Sequence, residues 1–69
     1  MRYRELAHRL QDLGCHIERQ GKGSHTVWRH PNGRRAVIAN WGGKDIPPGT
    51  IRAIIQQLGL SREEFGPIK

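Results

Sequence analysis

Two tight turn signals lie close together in the middle of the chain, and they restrict its fold more than any other feature. The later one reads His30-Pro31-Asn32-Gly33, where proline presets φ and Asn-Gly accepts the positive φ of a hairpin. The earlier one, Gly21-Lys22-Gly23, separates two further short runs. Residues 15–20 alternate loosely, with Ile17 between His16 and Glu18. Residues 24–30 read as a second strand, in which His25, Val27 and Arg29 point one way and Thr26, Trp28 and His30 the other. Residues 35–39, with Val37 and Ile38, have β character. The middle of the chain thus reads as a three-stranded antiparallel meander, because connections this short make any other pairing hard to build.

Helical patterns flank the meander. Tyr3, Leu6, Ala7, Leu10 and Leu13 recur at helical spacing, which predicts a helix over residues 3–13 ended by Gly14. Cys15 then reads as a small buried filler. Residues 40–49 form a Gly- and Pro-rich loop carrying Trp41 and Lys44. Pro48 opens a second helix with an apolar stripe of Ile51, Ile54, Ile55 and Leu58, and Gly59 ends it. Ser61 and Glu64 have capping-box spacing, so a last helical turn is expected over residues 62–65. The order α-β-β-β-α predicts an α+β two-layer sandwich: one three-stranded antiparallel sheet, both helices on one face, a single domain over residues 1–69. The arrangement resembles the double-stranded RNA-binding domain. That family grips phosphates with a lysine-rich start of its second helix, whereas Pro47-Pro48-Gly49-Thr50-Ile51-Arg52 holds one basic residue.

A 69-residue chain has little area with which to line a deep pocket, so a surface site acting on a large substrate is the expectation. One cysteine excludes an intramolecular disulfide and a cysteine-based zinc cluster. With no long apolar run and no secretory pattern, a soluble cytoplasmic protein without a membrane partner is expected. Twelve Lys and Arg stand against six Asp and Glu, a formal charge of +6. Nearly all of the excess lies in residues 16–44, where Arg19, Lys22, Arg29, Arg34, Arg35 and Lys44 face Glu18 alone. A concentrated basic segment with almost no acidic neighbours points to a polyanion, and nucleic acid is the simplest one.

Within that segment, Gly21-Lys22-Gly23-Ser24-His25 has the chemistry of a phosphate site. Glycines let backbone N–H groups approach a ligand, lysine supplies charge, and histidine as a residue type exchanges a proton near neutrality. Read as a structural element alone, the same stretch is a glycine-rich β-turn with a surface histidine. RNA carries its own nucleophile, the 2′-OH, so cleavage needs a base, charge stabilisation and an acid. His25 is the candidate general base. Lys22 with the N–H groups of Gly23 and Ser24 would stabilise charge on the phosphate. Lys44, water or a second histidine could be the acid. Arg29, Arg34, Arg35 and Lys44 are the further candidate RNA contacts. His8, His16, His25 and His30 lack ligand spacing, so neither a metal nor another cofactor is expected. His30 should serve its turn, and Trp28 the core.

A second resemblance spans almost the whole chain. The runs Arg19-Gln20-Gly21-Lys22-Gly23-Ser24-His25, Arg29-His30-Pro31-Asn32-Gly33-Arg34, Gly43-Lys44-Asp45-Ile46-Pro47-Pro48-Gly49-Thr50 and Gly59-Leu60-Ser61-Arg62-Glu63-Glu64-Phe65 occur in the order seen in the HicA (YcfA-like) toxins. The resemblance implies a metal-independent mRNA endoribonuclease of a type II toxin–antitoxin module, with His25 needed for cleavage of mRNA. It also implies a HicB-like antitoxin that covers the site, the toxin being monomeric alone or part of a hetero-oligomer with it. Many relatives have a second histidine in the loop where this chain reads Asn40-Trp41-Gly42-Gly43; Trp41 cannot move a proton but could stack on a base. A non-catalytic RNA-binding module of the same fold is the alternative, and a purely protein-binding domain a third.

Overall fold

A computed structural model describes residues 1–68 of the chain. Its elements follow the order α1 (Tyr3–Asp12), β1 (His16–Gln20), β2 (His25–Arg29), β3 (Arg35–Ala39), α2 (Pro48–Gln57) and α3 (Arg62–Phe65). The strands form one antiparallel sheet in the order β1-β2-β3. This is the α-β-β-β-α architecture that the two turns and two apolar stripes predict.

Both long helices end in the same way. After α1, Gly14 takes φ +88, the Cys15 N–H donates to the Leu10 carbonyl (2.9 Å) and the Gly14 N–H to Gln11 (3.0 Å). After α2, Gly59 takes φ +73, with the Leu60 N–H on Ile55 (2.9 Å) and the Gly59 N–H on Gln56 (3.1 Å). Each is a Schellman closure, which satisfies carbonyls that a helix end otherwise leaves open and turns the chain sharply back. The predicted capping box is formed: the Glu64 N–H donates to Ser61 Oγ (3.1 Å), and the Ser61 N–H to Glu64 Oε1 (3.2 Å).

One core joins the helices to one face of the sheet. Leu6 and Leu10 from α1 and Ile51, Ile54 and Ile55 from α2, with Leu58 just beyond it, are buried together with Trp28, Ala36 and Ile38. Trp28 is 1 % exposed, and its indole N–H donates to the Tyr3 hydroxyl at 3.3 Å. Trp28 therefore belongs to the core, as predicted, with its one polar atom satisfied. Cys15 is buried, and burial raises the pKa of its thiol. Among the described residues, the other face of the sheet carries no helix. Val27 pairs with Val37, His25 with Ala39 and Arg29 with Arg35 on that face, where Val37 is 57 % exposed.

β1 departs from simple alternation. Ile17 pairs with Trp28, but Arg19, not Glu18, pairs with Val27, so the register slips by one residue at a β-bulge. Without it, Arg19 would share the face of Ile17 and Trp28.

Candidate functional site

His25 is exposed at the start of β2, on the helix-free face. The turn that precedes it is closed by the His25 N–H donating to the Lys22 carbonyl (3.2 Å) and the Gly21 N–H donating to the His25 carbonyl (2.8 Å). Gly23 occupies the first central position with φ +60, while Ser24 keeps a negative φ. That sign pattern is the II′ hairpin turn, which glycine makes without steric cost. Gly21 is favoured for a different reason. A Cβ there would lie 3.3 Å from the His25 carbonyl oxygen and 3.4 Å from the His25 Cβ. At Gly23 a Cβ would meet nothing within 4 Å, so the outer side of the turn is open to a ligand.

The turn also orients the imidazole. His25 Nδ1 lies 3.1 Å from the Lys22 carbonyl oxygen. A carbonyl only accepts, so this bond places the proton on Nδ1 and leaves Nε2 of the neutral ring as a bare acceptor. His30 shows the opposite tautomer: the Asn32 N–H donates to His30 Nδ1 at 3.0 Å. The His30 ring thus serves its turn, as predicted.

The candidate cations fall into two groups. Among the described residues, the ammonium groups of Lys22 and Lys44 make no hydrogen bond or ion pair, and both side chains are exposed. Lys22 is in the His25 turn. Lys44 is in the loop that leaves β3, which is tied to that turn by the Asn40 N–H donating to the Ser24 carbonyl (2.9 Å). Trp41 in this loop is half-buried against the core.

The second group sits at the far end of the sheet, where the expectation of scarce acidic partners is corrected. Glu18, put at the bulge, receives Arg29 Nη1 at 2.9 Å and Arg35 Nε at 2.9 Å. The hydrogen bond from Arg29 and the charge and hydrogen bond of Arg35 hold the Glu18 carboxyl below its ordinary pKa, against the opposing effect of desolvation. Arg34 is taken by a helix end. Its Nε donates to the Gln57 carbonyl at 2.8 Å and its Nη2 to Gln56 at 3.4 Å, while Asn32 Nδ2 donates to Leu58 at 3.0 Å. A cation at the negative end of α2 satisfies carbonyls that the helix leaves open. The structure therefore brings Lys22, Gly23, Ser24 and His25 together, with Lys44 in the adjoining loop, and places Arg29, Arg34 and Arg35 at the opposite end.

One cation at the His25 end escaped the sequence reading. Arg19 is exposed on the His25 face, because the bulge pairs it with Val27, and alternation alone assigns it to the opposite face. Among the described residues no three His, Cys, Asp or Glu side chains are grouped so as to hold a metal ion. No helix among them is long and apolar enough to cross a membrane. An open groove lined by Tyr3, Ala7, His8 and Gln11 runs along α1 and does not include His25.

Fold and site together define a small α+β protein whose candidate histidine stands on a sheet surface rather than in a pocket. The family model described as the HicA toxin of bacterial toxin–antitoxin modules matches residues 3–60, and the chain belongs to that family. Membership makes it the toxin component of such a module, with an antitoxin as partner. No curated protein matches the chain at a significant level.

Proposed function

We propose that the toxin acts as a metal-independent endoribonuclease on mRNA, with His25 as general base. The observation that carries this reading is the His25 ring, exposed at the glycine turn with Nδ1–H held by the Lys22 carbonyl and Nε2 facing free. Nε2 takes the proton of a ribose 2′-OH as the 2′-oxygen attacks the adjacent phosphorus. A P–O2′ bond forms and the P–O5′ bond breaks, leaving a 2′,3′-cyclic phosphate and a 5′-hydroxyl. Lys22 and the N–H groups of Gly23 and Ser24 stabilise the charge that builds on the phosphate. The leaving 5′-oxygen takes its proton from water or Lys44, because His16 and His30 lie at the other end of the sheet. Arg29, Arg34 and Arg35 contribute to the positive field over the RNA rather than to the reacting phosphate. The antitoxin silences the toxin by covering the His25 face, and the toxin works in the cytoplasm, where both mRNA and antitoxin are found.

The test is single-stranded RNA incubated in EDTA with the wild type and with His25→Ala, with fragment ends analysed. Cleavage by the wild type alone, leaving 2′,3′-cyclic phosphate, is the expected result. Equal cleavage by both removes His25 from the mechanism. Salt-sensitive binding without cleavage by either identifies a non-catalytic RNA-binding module, and DNA should bind without being cut.

A further inference from the structure

We propose that Arg19 is a phosphate ligand of the His25 site, delivered to it by the bulge in β1. This rests on the reading of the site as an RNA-cleaving one and adds a substrate contact to it. Strict alternation from Ile17, which pairs with Trp28 on the core face, would turn Arg19 toward the helices. The bulge pairs Arg19 with Val27 instead, on the face that carries His25. Opposite Val27, Arg19 is the diagonal cross-strand neighbour of His25, a separation of roughly 7–8 Å that a long side chain spans.

The same bulge sorts the charges of the face. Glu18 reaches Arg29 and Arg35, each at 2.9 Å, and so neutralises the cations at the far end. Arg19 is exposed, and its guanidinium makes no hydrogen bond or ion pair among the described residues. A guanidinium left without a carboxylate offers a planar fork of donors that fits two phosphate oxygens. Arg19 and Lys22 both precede His25 in the chain, and the hairpin folds His25 back beside them, with the Lys22 carbonyl against its ring and Arg19 on the neighbouring strand. An RNA strand placed over His25 has one phosphate at the turn and the next against Arg19. Bulges commonly re-aim a side chain beside an active site, and this one does so for a cation.

Arg19 contacts a phosphate in the ground state as well as during the reaction, so its removal should act on binding. The experiment measures binding of a labelled single-stranded RNA to His25→Ala protein across a salt series, with Arg19→Ala, Arg19→Lys or Arg52→Ala added. Arg52, exposed on α2, removes the same charge from the opposite layer. The expected result is about ten- to a hundredfold weaker binding for Arg19→Ala. Its slope of log K against log salt should fall by about 0.7, the contribution of one single-strand phosphate contact. Arg19→Lys should keep the slope, and Arg52→Ala should change little. In cleavage by protein that retains His25, Arg19→Ala should raise KM far more than it lowers kcat. Equal losses for Arg19→Ala and Arg52→Ala, or a loss that tracks a fall in melting temperature, would overturn the role of Arg19 alone. Wild-type protein that neither binds nor cuts RNA would overturn the RNA reading, and this inference with it.

Discussion

The two ends of the sheet carry similar charge and opposite availability. At the Gly21–His25 end, Arg19, Lys22 and the His25 ring are exposed, and neither cation is paired among the described residues. At the Arg29–Arg35 end, Glu18 holds two arginines and the α2 carbonyls hold the third. The two histidines follow the same division. His25 Nδ1 donates to a carbonyl and leaves Nε2 free, whereas His30 Nδ1 accepts from an amide and pins a turn. A guanidinium, an ammonium or an imidazole nitrogen is thus open to a ligand only where the fold leaves that atom without an internal partner.

The sharpest way to break this contrast is to exchange the two histidines as targets. His25→Ala should lower RNA cleavage by about 10²- to 10⁴-fold with the melting temperature unchanged. His30→Ala should leave cleavage near the wild-type rate and lower the melting temperature slightly. Initial rates and thermal melts of both variants decide the matter, and comparable losses of rate would dissolve the distinction between the ends.

Next in size is the latch between the second hairpin and α2. A Cβ on Gly59, at φ +73, would come within 2.8 Å of Arg34 Cδ and 3.2 Å of Asn32 Nδ2. Gly59→Ala should therefore destabilise the fold by at least the left-handed penalty of about 1–2 kcal/mol. Arg34→Ala, which loses only the carbonyl contacts, should cost about 1 kcal/mol. Urea unfolding measures both, and RNA affinity should fall less for Arg34→Ala than for Lys22→Ala.

Glu18→Gln tests whether pairing silences the far arginines. Removing the carboxylate charge should strengthen RNA binding by a few fold and steepen its salt dependence by up to about 0.7 for each arginine released. Binding isotherms at two salt concentrations would show it, and unchanged affinity would mean that Arg29 and Arg35 lie outside the RNA path.

The smallest effect is one of pH. Glu18 has a folded-state pKa below its ordinary value, chiefly through the hydrogen bond from Arg29. Its contribution to stability is thus fully present above the ordinary carboxylate pKa of about 4.3, and is lost as pH falls through the lower folded value. Melting temperatures in acid should drop more for the wild type than for Glu18→Gln, while the two should differ by a constant amount near neutrality.

Much of this molecule was determined by local sequence. Gly14 and Gly59 stop the helices, Asn32-Gly33 and Gly21-Lys22-Gly23 set the hairpins, and Ser61 with Glu64 caps α3. These are interactions between residues a few positions apart, so spacing alone reveals them. Trp28 could be assigned to the core as a large aromatic, and it is 1 % exposed, although alternation would not have separated it from the equally buried Thr26 and Val27 beside it. Membership of the HicA toxins was legible too, because its motifs span the chain in order. What tertiary structure alone decided is which charges remain free. Glu18 meets Arg29 and Arg35 only across three strands, and Arg34 meets α2 only after the sheet packs on the helices. The bulge that turns Arg19 to the His25 face is likewise a property of pairing between strands, invisible in the alternation of β1 itself. Sequence spacing counts charges; long-range pairing determines which of them face solvent without a partner.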